Sequence, residues 1–394
     1  MPASPDTTLA PARPLRIGIL TDGLLERDGP AGVEIANGGV GAYIYQLISC
    51  LQQVAPQHVY VLIRYGTGRL DIYHRPGGRT VFIPPWDAGL RGRLSERSLV
   101  RIVREQALDV VHYPNQFGGP FLPAAIKRVA TLHDLTPLLF PEHHPRTRVL
   151  AYRLLLRRSL RRATHVIVDA ASTRTDLVAR RLAAADAVTV VPLAASAAFR
   201  PAPPHTDLAR RYDLPRRFVL SVGVLEPRKN YARLVAAVQR LRDAGEDIGL
   251  VIAGRDGWHW ENPLDAPAHA DLRPHARLLR NLPEADLPAL YRHATAFAYP
   301  SLYEGFGLPL LEAMASGVPV VTSNVSSMPE VVGDAALLVD PTDPAALTTA
   351  LQRVLRDPAL HTRLRTAGLQ RAAEFSWERT ARETLAVYER VCGT

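Results

Sequence analysis

The chain has 394 residues, 47% of them hydrophobic and 22% charged, which predicts a globular protein of two domains and excludes a collagenous or disordered chain. Its two cysteines exclude a disulfide framework, and no apolar run is long enough to span a membrane, so we expect a cytoplasmic protein. The positive net charge is concentrated in residues 1–200, which argues against a uniformly basic nucleic-acid-binding protein.

The N-terminal segment, residues 1–14, is rich in proline and alanine and lacks the apolar stretch of a secretory signal, so we expect a disordered tail. A buried strand is predicted over residues 15–20. After a polar loop, Gly38 and Gly39 open a helix. Glycines at a helix start allow a ligand to approach the backbone closely, although a purely structural role is an equally good interpretation.

Strands that alternate with helical segments indicate a doubly wound parallel sheet. Further strands are predicted over 59–63, 80–83, 110–112 and 129–132. No GxGxxG fingerprint follows the first strand, which argues against a nicotinamide dinucleotide site. His133 and Asp134 follow the strand that ends at residue 132, at the edge where such sheets bind ligands. The alternative is a loop histidine that is capped by the neighbouring aspartate.

The segment Arg146–Arg162 is predicted to be an arginine-rich helix. Its charge is that of a helix lying on an anionic membrane surface, and its apolar pattern is also that of an ordinary solvated helix packed on a sheet. Prolines at 192, 201, 203 and 204 mark a linker. We therefore predict one domain over residues 1–200 and a second over residues 201–375.

The second domain begins with a strand that ends at Gly223, and the βα turn that follows it contains Arg228 and Lys229. Two cations beside a glycine at such a turn indicate an anion site, with solvated basic residues as the alternative. The next strand ends at Gly254.

The stretch from Tyr299 to Thr322 reads as a strand, a glycine loop, a short helix and a second strand. The helix start behind the glycines predicts a seat for a diphosphate. Glu304 precedes the loop, and Glu312 lies one turn into the helix. Because carboxylates would repel phosphates, we expect both to accept hydrogen bonds from the hydroxyls of a sugar and a ribose. The alternative is an ordinary βα turn with two solvated glutamates.

This stretch resembles the Glu–seven residues–Glu signature of the retaining GT-B glycosyltransferases of family 4. The resemblance implies two doubly wound Rossmann-like domains facing each other across a cleft. It places Glu304 near the donor sugar and Glu312 on the ribose hydroxyls. The backbone of Phe306, Gly307 and Leu308 would approach the sugar and phosphates. It also implies that the C-terminal helix, residues 376–394, packs back on the first domain.

The resemblance extends to residues outside the signature. The loop of Gly38 and Gly39 would face the cleft near the diphosphate, and His133, with Asp134, would border the reacting sugar. Lys229 matches the family's lysine. Val224 stands where the family has an arginine, so Arg228, the only arginine nearby, is the candidate for that role. The adjacent histidines at 143 and 144 are interpreted as loop residues on the acceptor side.

The implied function is transfer of a hexose from a nucleotide-diphosphate sugar, with GDP-mannose favoured, to a hydroxyl of a glycan or lipid-linked acceptor, with retention, in the synthesis of a cell-surface polysaccharide. His133, Asp134, Arg228, Lys229 and Glu304 are the predicted catalytic residues, and Gly223 and Gly254 are added to the predicted donor site. We expect no cofactor, and no metal, since the sequence has no Asp-x-Asp motif. The basic first domain is predicted to face an anionic acceptor or bilayer.

Other functions remain open at this point. The donor could be UDP-glucose or UDP-N-acetylglucosamine within the same family. A related epimerase or hydrolase would need acid and base carboxylates that the sequence does not reveal, and a non-catalytic nucleotide-sugar binding protein would not need a complete phosphate site.

Overall fold

A computed structural model describes residues 13–21, 24–26, 33–35, 39–65, 79–83, 91–115, 117, 119, 122–203 and 206–393. Among these residues, two parallel sheets are each flanked by helices. The predicted fold class, two doubly wound α/β units, is confirmed. Gly38, a predicted donor-site residue, lies outside the described residues.

The first sheet has seven parallel strands in the order β5-β4-β1-β6-β7-β8-β9. Its strands are β1 (Arg16–Leu20), β4 (Val59–Tyr65), β5 (Arg79–Ile83), β6 (Val110–Tyr113), β7 (Arg128–Leu132), β8 (His165–Val168) and β9 (Val188–Val190). The helices of this half are α1 (Gly39–Val54), α2 (Arg91–Glu105), α3 (Thr136–Leu139), α4 (Arg146–Ala151), α5 (Arg157–Arg162) and α6 (Ala171–Ala179). The strands read as continuous apolar runs because both faces of the sheet are covered.

A short antiparallel hairpin corrects one expectation. It consists of β2 (Leu24–Glu26) and β3 (Val33–Ile35) and lies in the segment predicted to be a polar loop. Strands of three residues are too short to show an alternating pattern in the sequence, so the polar character of the segment as a whole dominated the prediction.

The second sheet has six parallel strands in the order β12-β11-β10-β13-β14-β15. Its strands are β10 (Phe218–Val222), β11 (Gly249–Gly254), β12 (Ala276–Arg280), β13 (Ala296–Tyr299), β14 (Val320–Ser323) and β15 (Ala336–Val339). Its helices are α7 (Thr206–Arg211), α8 (Tyr231–Asp243), α9 (Leu287–His293), α10 (Leu308–Ala315), α11 (Met328–Val332), α12 (Pro344–Arg356) and α13 (Pro358–Ala373).

The helix α14 (Trp377–Cys392) follows the second sheet but packs against α1 of the first half. The side chains of Val387 and Tyr388 are fully buried there. The Tyr388 hydroxyl lies 2.6 Å from Nδ1 of His112, which is itself buried on β6. The core of the first half therefore includes residues from the C-terminal helix.

The predicted helix Arg146–Arg162 is helical throughout but not uniform, because a π-helical segment, Tyr152–Leu156, separates α4 from α5. Tyr152 and Leu156 are buried, whereas Leu150 and Leu154 are 56% and 64% exposed. None of the helices in the described part of the chain is long and apolar enough to cross a membrane.

Candidate active site

The turn that carries the two predicted cations is a single 3₁₀ turn, Pro227–Lys229, between β10 and α8. Asn230 follows it in the left-handed conformation, at φ 61°, which asparagine tolerates better than most residues. Its side-chain amide donates to the carbonyl oxygens of Pro300 and Pro341 at 2.9 and 2.8 Å. These bonds fix the turn against the end of β13, from which the donor loop (residues 300–307) departs.

Arg228 and Lys229 are both buried and both contact Glu304 of the donor loop. Arg228 Nη1 lies 2.9 Å and Lys229 Nζ lies 2.7 Å from the same oxygen, Oε1 of Glu304. Arg228 also donates to the side chain of Glu226 and to the backbone carbonyl of Tyr303. Two cations thus face two carboxylates, so the cluster of Glu226, Arg228, Lys229 and Glu304 has no net charge in this arrangement.

The cluster determines the ionisation of Glu304. Burial raises the pKa of this carboxyl group, but Arg228 and Lys229 outweigh burial and hold the pKa at about 2. Burial and the neighbouring Arg228 lower the pKa of Lys229 from its usual range. Glu304 is therefore a carboxylate at any physiological pH, and it is a weak base.

Two serines form hydrogen bonds with the backbone of the donor loop. Ser326 Oγ accepts the N–H of Glu304 at 2.9 Å, and Ser327 Oγ lies 3.0 and 2.8 Å from the carbonyl oxygens of Glu304 and Phe306. Gly307 has φ 104°, a conformation that favours glycine. The phenyl ring of Phe306 is buried, so this residue presents only its backbone to a ligand.

The N–H groups that follow Glu304 are available to an anion. Within the described ranges, no hydrogen-bond acceptor is found for the N–H groups of Phe306, Gly307 and Leu308. They lie at the start of α10, where the helix dipole adds to their attraction for negative charge. This arrangement has the chemistry of a phosphate seat.

Glu312 occupies a different environment one turn into α10. Its Oε2 accepts a hydrogen bond of 2.8 Å from the hydroxyl of Tyr291 on α9. Burial raises the pKa of Glu312 to about 7 and outweighs the hydrogen bond from Tyr291, which lowers it. Its carboxylate is suited to accept hydrogen bonds from uncharged hydroxyls.

The contacts of His133 exclude the alternative in which the neighbouring Asp134 caps it. His133 Nδ1 lies 2.7 Å from Asp169, at the end of β8, and Nε2 lies 3.1 Å from the Pro114 carbonyl oxygen. Asp134 instead accepts from the N–H and hydroxyl of Thr136 at 3.0 and 2.7 Å. The neighbouring strands β7 and β8 put His133 and Asp169 together. The pattern around residue 133 alone does not reveal this.

The partners of His133 also restrict its chemistry. Burial lowers the pKa of His133, but the carboxylate of Asp169 outweighs burial, and the pKa is raised overall. Both ring nitrogens face oxygens that act as acceptors. A ring held in this way donates from both nitrogens and offers no free lone pair, so it is better suited to position groups than to remove a proton.

The two halves of the site are in direct contact at Gly305. A Cβ atom at this position would lie 1.7 Å from the carbonyl oxygen of His133 and 3.0 Å from Cβ of Asp134. A Cβ on Gly39, at the start of α1, would lie 4.0 Å from Leu308. Gly39, His133 and Asp134 of the first half thus lie beside the donor loop.

A similar close approach joins two strands of the second half. A Cβ on Gly254 would lie 1.9 Å from the carbonyl oxygen of Gly223, so only glycine fits there. Gly223 in turn lies beside Lys229, whose Cε would be 3.3 Å from a Cβ at 223. Direct contacts therefore link the described candidate residues to the donor loop, except for Glu312, whose side chain contacts Tyr291.

Residues of α6 make further contacts across the cleft that the sequence did not indicate. The carboxylate of Glu330 accepts the N–H groups of Ala171 at 2.9 Å and Ser172 at 3.3 Å. Thr173 donates to the carbonyl of Gly305 at 3.1 Å, and Tyr303 donates to Asp176 at 2.8 Å. Nearness of these residues depends on how the two halves face each other, which no local pattern encodes.

The described residues contain no group of three or more His, Cys, Asp or Glu side chains that could hold a metal ion. What the arrangement offers is a phosphate seat of backbone N–H groups above two buried cations, with carboxylates on either side for hydroxyl groups. A sugar joined through a diphosphate to a ribose matches this order of charges.

Comparison with known proteins agrees with this interpretation. Two family models match the chain, "Glycosyltransferase Family 4" over residues 37–197 and "Glycosyl transferases group 1" over residues 210–371. The chain is 36% identical over 294 residues to "O-antigen chain mannosyltransferase B" of Escherichia coli, an alignment that covers 73% of this chain and 77% of that protein.

Two further relatives extend the comparison. The chain is also 30% identical to "Serotype-specific mannosyltransferase WbdA" of Escherichia coli. The alignment covers 67% of this chain and 34% of that longer protein. Sucrose-phosphate synthase from Thermosynechococcus elongatus has the same fold, with a TM-score of 0.73 at 23% identity, over 96% of this chain and 99% of the other. The chain therefore belongs to family 4 of the glycosyltransferases, the glycosyl transferases group 1, and has the GT-B fold.

Proposed function

We propose that this glycosyltransferase moves a mannosyl group from GDP-mannose to a hydroxyl of a glycan or lipid-linked acceptor, with retention of configuration, in the synthesis of a cell-surface polysaccharide. The observation that carries the proposal is the cluster of Arg228, Lys229 and Glu304 beside the unpaired N–H groups of the donor loop. The mannosyltransferase relatives favour mannose as the transferred sugar.

Departure of the nucleoside diphosphate requires that its developing charge be neutralised. The N–H groups of Phe306, Gly307 and Leu308, together with Lys229 and Arg228, supply this stabilisation without any change in protonation. Since both cations pair with Glu304, a bound diphosphate competes with this carboxylate for them. Glu304 is then released in part to accept a hydroxyl of the donor sugar.

Retention is supported by the lack of a general base among the described residues at the donor loop, since an inverting transfer needs one. Glu304 is a weak base, and both ring nitrogens of His133 face acceptors. Oε1 of Glu304 makes ion pairs with both cations, so this carboxylate is also a poor nucleophile. We propose front-face attack. The bond between the sugar C1 and the phosphate oxygen breaks, the acceptor oxygen bonds to C1 on the same face, and the acceptor proton passes to the leaving phosphate.

A panel of nucleotide sugars tests the donor. GDP-mannose, UDP-glucose and UDP-N-acetylglucosamine are each scored by hydrolysis and by thermal shift. We expect the largest shift and the fastest hydrolysis with GDP-mannose, and the one-bond C1–H1 coupling of the transferred sugar to show the α configuration of the donor. A larger thermal shift and faster hydrolysis with a UDP sugar than with GDP-mannose would refute GDP-mannose as the donor. Binding without turnover, even with acceptor, would indicate a non-catalytic binding protein.

Metal independence is part of the proposal, because protein groups meet the charge of the diphosphate. Activity is expected to be unchanged after dialysis against EDTA. Loss of activity that Mn²⁺ or Mg²⁺ restores would show that the cations Arg228 and Lys229 are not sufficient.

The arginine-rich helix supports peripheral contact with an anionic membrane that carries a lipid-linked acceptor. Leu150 and Leu154 lie one helical turn apart and are exposed, beside the exposed Arg153 and Arg157. Exposed leucines flanked by arginines are typical of helices that lie in a membrane interface, where each basic residue contributes about 1 kcal/mol.

Cosedimentation with vesicles that contain anionic lipid tests this contact. The double variant Leu150→Ser, Leu154→Ser is expected to lose binding to the vesicles. Replacement of both Arg153 and Arg157 by Gln is expected to lower the salt concentration at which the protein dissociates from the vesicles. Leu338→Ser, which alters an exposed leucine of the other half, is the control. Equal binding by all variants, or no binding by the wild type at low salt, would show that the arginine-rich segment is an ordinary solvated helix.

A further inference from the structure

A cluster of aromatic and basic side chains joins the two halves of the protein. We name it the 140–148 cluster; it consists of Phe140, His143, His144 and Arg148 with Trp258 of the second half. The His144 and Trp258 ring centroids are 5.3 Å apart, and the Arg148 guanidinium carbon lies 4.7 Å from the Trp258 ring centroid. Phe140 stacks on His143 at 5.7 Å.

The polar atoms of this cluster lack partners. His144 is only 4% exposed, yet neither of its ring nitrogens has a hydrogen-bond partner in the described chain. The same is true there of Nδ1 of His143 and Nε1 of Trp258. Buried polar atoms are nearly always hydrogen-bonded in folded proteins, so four such atoms in one place need an explanation.

Packing alone does not account for a histidine at 144. Burial and the nearby Arg148 lower its pKa to about 4, so the ring is neutral near pH 7. A neutral imidazole carries one N–H donor and one acceptor, and both are unsatisfied here. An apolar ring of similar size would avoid this cost in the free energy of folding.

The cluster also lies beside the diphosphate seat. The ring of Phe140 is 5.9 Å from that of Tyr303, whose carbonyl oxygen accepts a hydrogen bond from Arg228. Ring contacts from His143 through Phe140 to Tyr303 thus connect the cluster to Arg228, one of the cations that would hold the leaving phosphate.

We propose that the 140–148 cluster is the binding subsite for a sugar ring of the acceptor, with His144 and the indole N–H of Trp258 bonding its hydroxyls. A hydroxyl both donates and accepts, as the two nitrogens of a neutral imidazole require. The faces of the indole and imidazole rings suit the C–H faces of a sugar. Trp258 lies directly against His144, so a sugar ring bound between them requires the two side chains to separate. This inference rests on the proposed function, since it assumes a glycan acceptor.

Three variants test the subsite. Trp258→Ala removes the indole that lies on His144, and His144→Phe keeps a ring but removes both nitrogens. Trp260→Ala is the matched control, because this second tryptophan of the same loop packs on Tyr231 of the second half, at 5.5 Å between ring centroids. Saturation-transfer NMR with the methyl glycosides of mannose, glucose, galactose and N-acetylglucosamine measures binding without any donor.

The expected result is saturation transfer to at least one glycoside by the wild type and by Trp260→Ala, and its loss in Trp258→Ala and His144→Phe. In turnover assays, the acceptor KM of the two variants should rise by about ten-fold or more, the effect of losing one or two hydrogen bonds, with the donor KM unchanged. The melting temperature of His144→Phe should not fall, since an unsatisfied polar group is removed.

The opposite outcomes overturn the subsite. These are saturation transfer that all four proteins share, no transfer to any glycoside by the wild type, or a lower melting temperature of His144→Phe with unchanged acceptor KM, which would make His144 a packing residue. Failure of the donor panel alone would refute the proposed function, whereas the NMR result, obtained without donor, reports on the subsite independently.

Discussion

Glu304 and Glu312 belong to the same loop and helix, yet their surroundings give them opposite properties. Two buried cations hold the pKa of Glu304 at about 2, whereas burial beside the hydroxyl of Tyr291 raises the pKa of Glu312 to about 7. The first carboxylate is permanently ionised and neutralised by its neighbours. The second titrates near neutrality. The comparison teaches that the charge of each glutamate is set by the elements that approach it, not by the motif that contains both.

The largest expected effect comes from removal of Lys229, one of the two cations that keep Glu304 ionised. Lys229→Ala takes one of the two cations from Glu304 and from the departing diphosphate, so turnover should fall by roughly ten-fold to a thousand-fold. Steady-state kinetics of the purified variant measure this. Lys127→Ala, which alters the other lysine of the chain, is the control. A folded Lys229→Ala enzyme with near-normal kcat/KM would remove Lys229 from the mechanism.

A methyl group added at Gly305 tests the contact between the two halves of the site. Gly305→Ala would bring a Cβ within 1.7 Å of the His133 carbonyl oxygen, so the halves must move apart. A displacement of this size should cost about a hundred-fold in transfer, because the donor and acceptor sides no longer align. Calorimetry should show nearly unchanged binding of the nucleoside diphosphate by the second half. Normal transfer by this variant would contradict the observed contact.

Replacement of each glutamate tests directly whether the two carboxylates bind different parts of the donor. Glu312→Gln should weaken the intact donor and the nucleoside diphosphate alike, by about ten-fold, because the ribose is present in both. Glu304→Gln should weaken the intact donor but leave the affinity for the diphosphate product unchanged or tighter, since Arg228 and Lys229 lose a competing partner. Calorimetry with both ligands decides, and equal losses of product affinity in the two variants would be inconsistent with this division.

The smallest expected effect concerns stability. The pKa of Glu312 is about 7 in the folded protein and 4.5 in the unfolded chain, so the stability that the protonated group contributes is lost as the pH rises from about 4.5 to about 7. Glu312→Gln, which cannot ionise, should therefore raise the melting temperature at pH 8 and leave it unchanged at pH 4. Glu261→Gln, at an exposed position, is the control. An equal shift at both pH values would show that burial does not penalise the ionised form.

Contiguous motifs were the part of the site that the sequence could predict. The turn of Arg228 and Lys229 and the donor loop with Glu304 were placed at the ends of strands, and the structure has them there. Each is a local unit in which a glycine, a proline and a short helix determine the backbone. The sequence could therefore indicate both units, but it could not indicate that both cations contact Glu304.

Contacts between distant segments were not predictable in this way. Asp169 reaches His133 because β8 lies beside β7, and Glu330 reaches the start of α6 because the halves face each other. The serines at 326 and 327 hold the donor loop from the far end of β14. Such partners depend on the topology and on the relative placement of the halves, to which a single sequence gives no direct access.

The packing of α14 has a consequence for how the protein is made. Synthesis proceeds from the N-terminus, and domains generally fold as they emerge from the ribosome. Here the helix that covers α1 and bonds His112 is translated only after the entire second sheet. The first half must therefore wait with an apolar face uncovered while the second is completed. We therefore expect that folding of the first half is completed only after the second half has been synthesised.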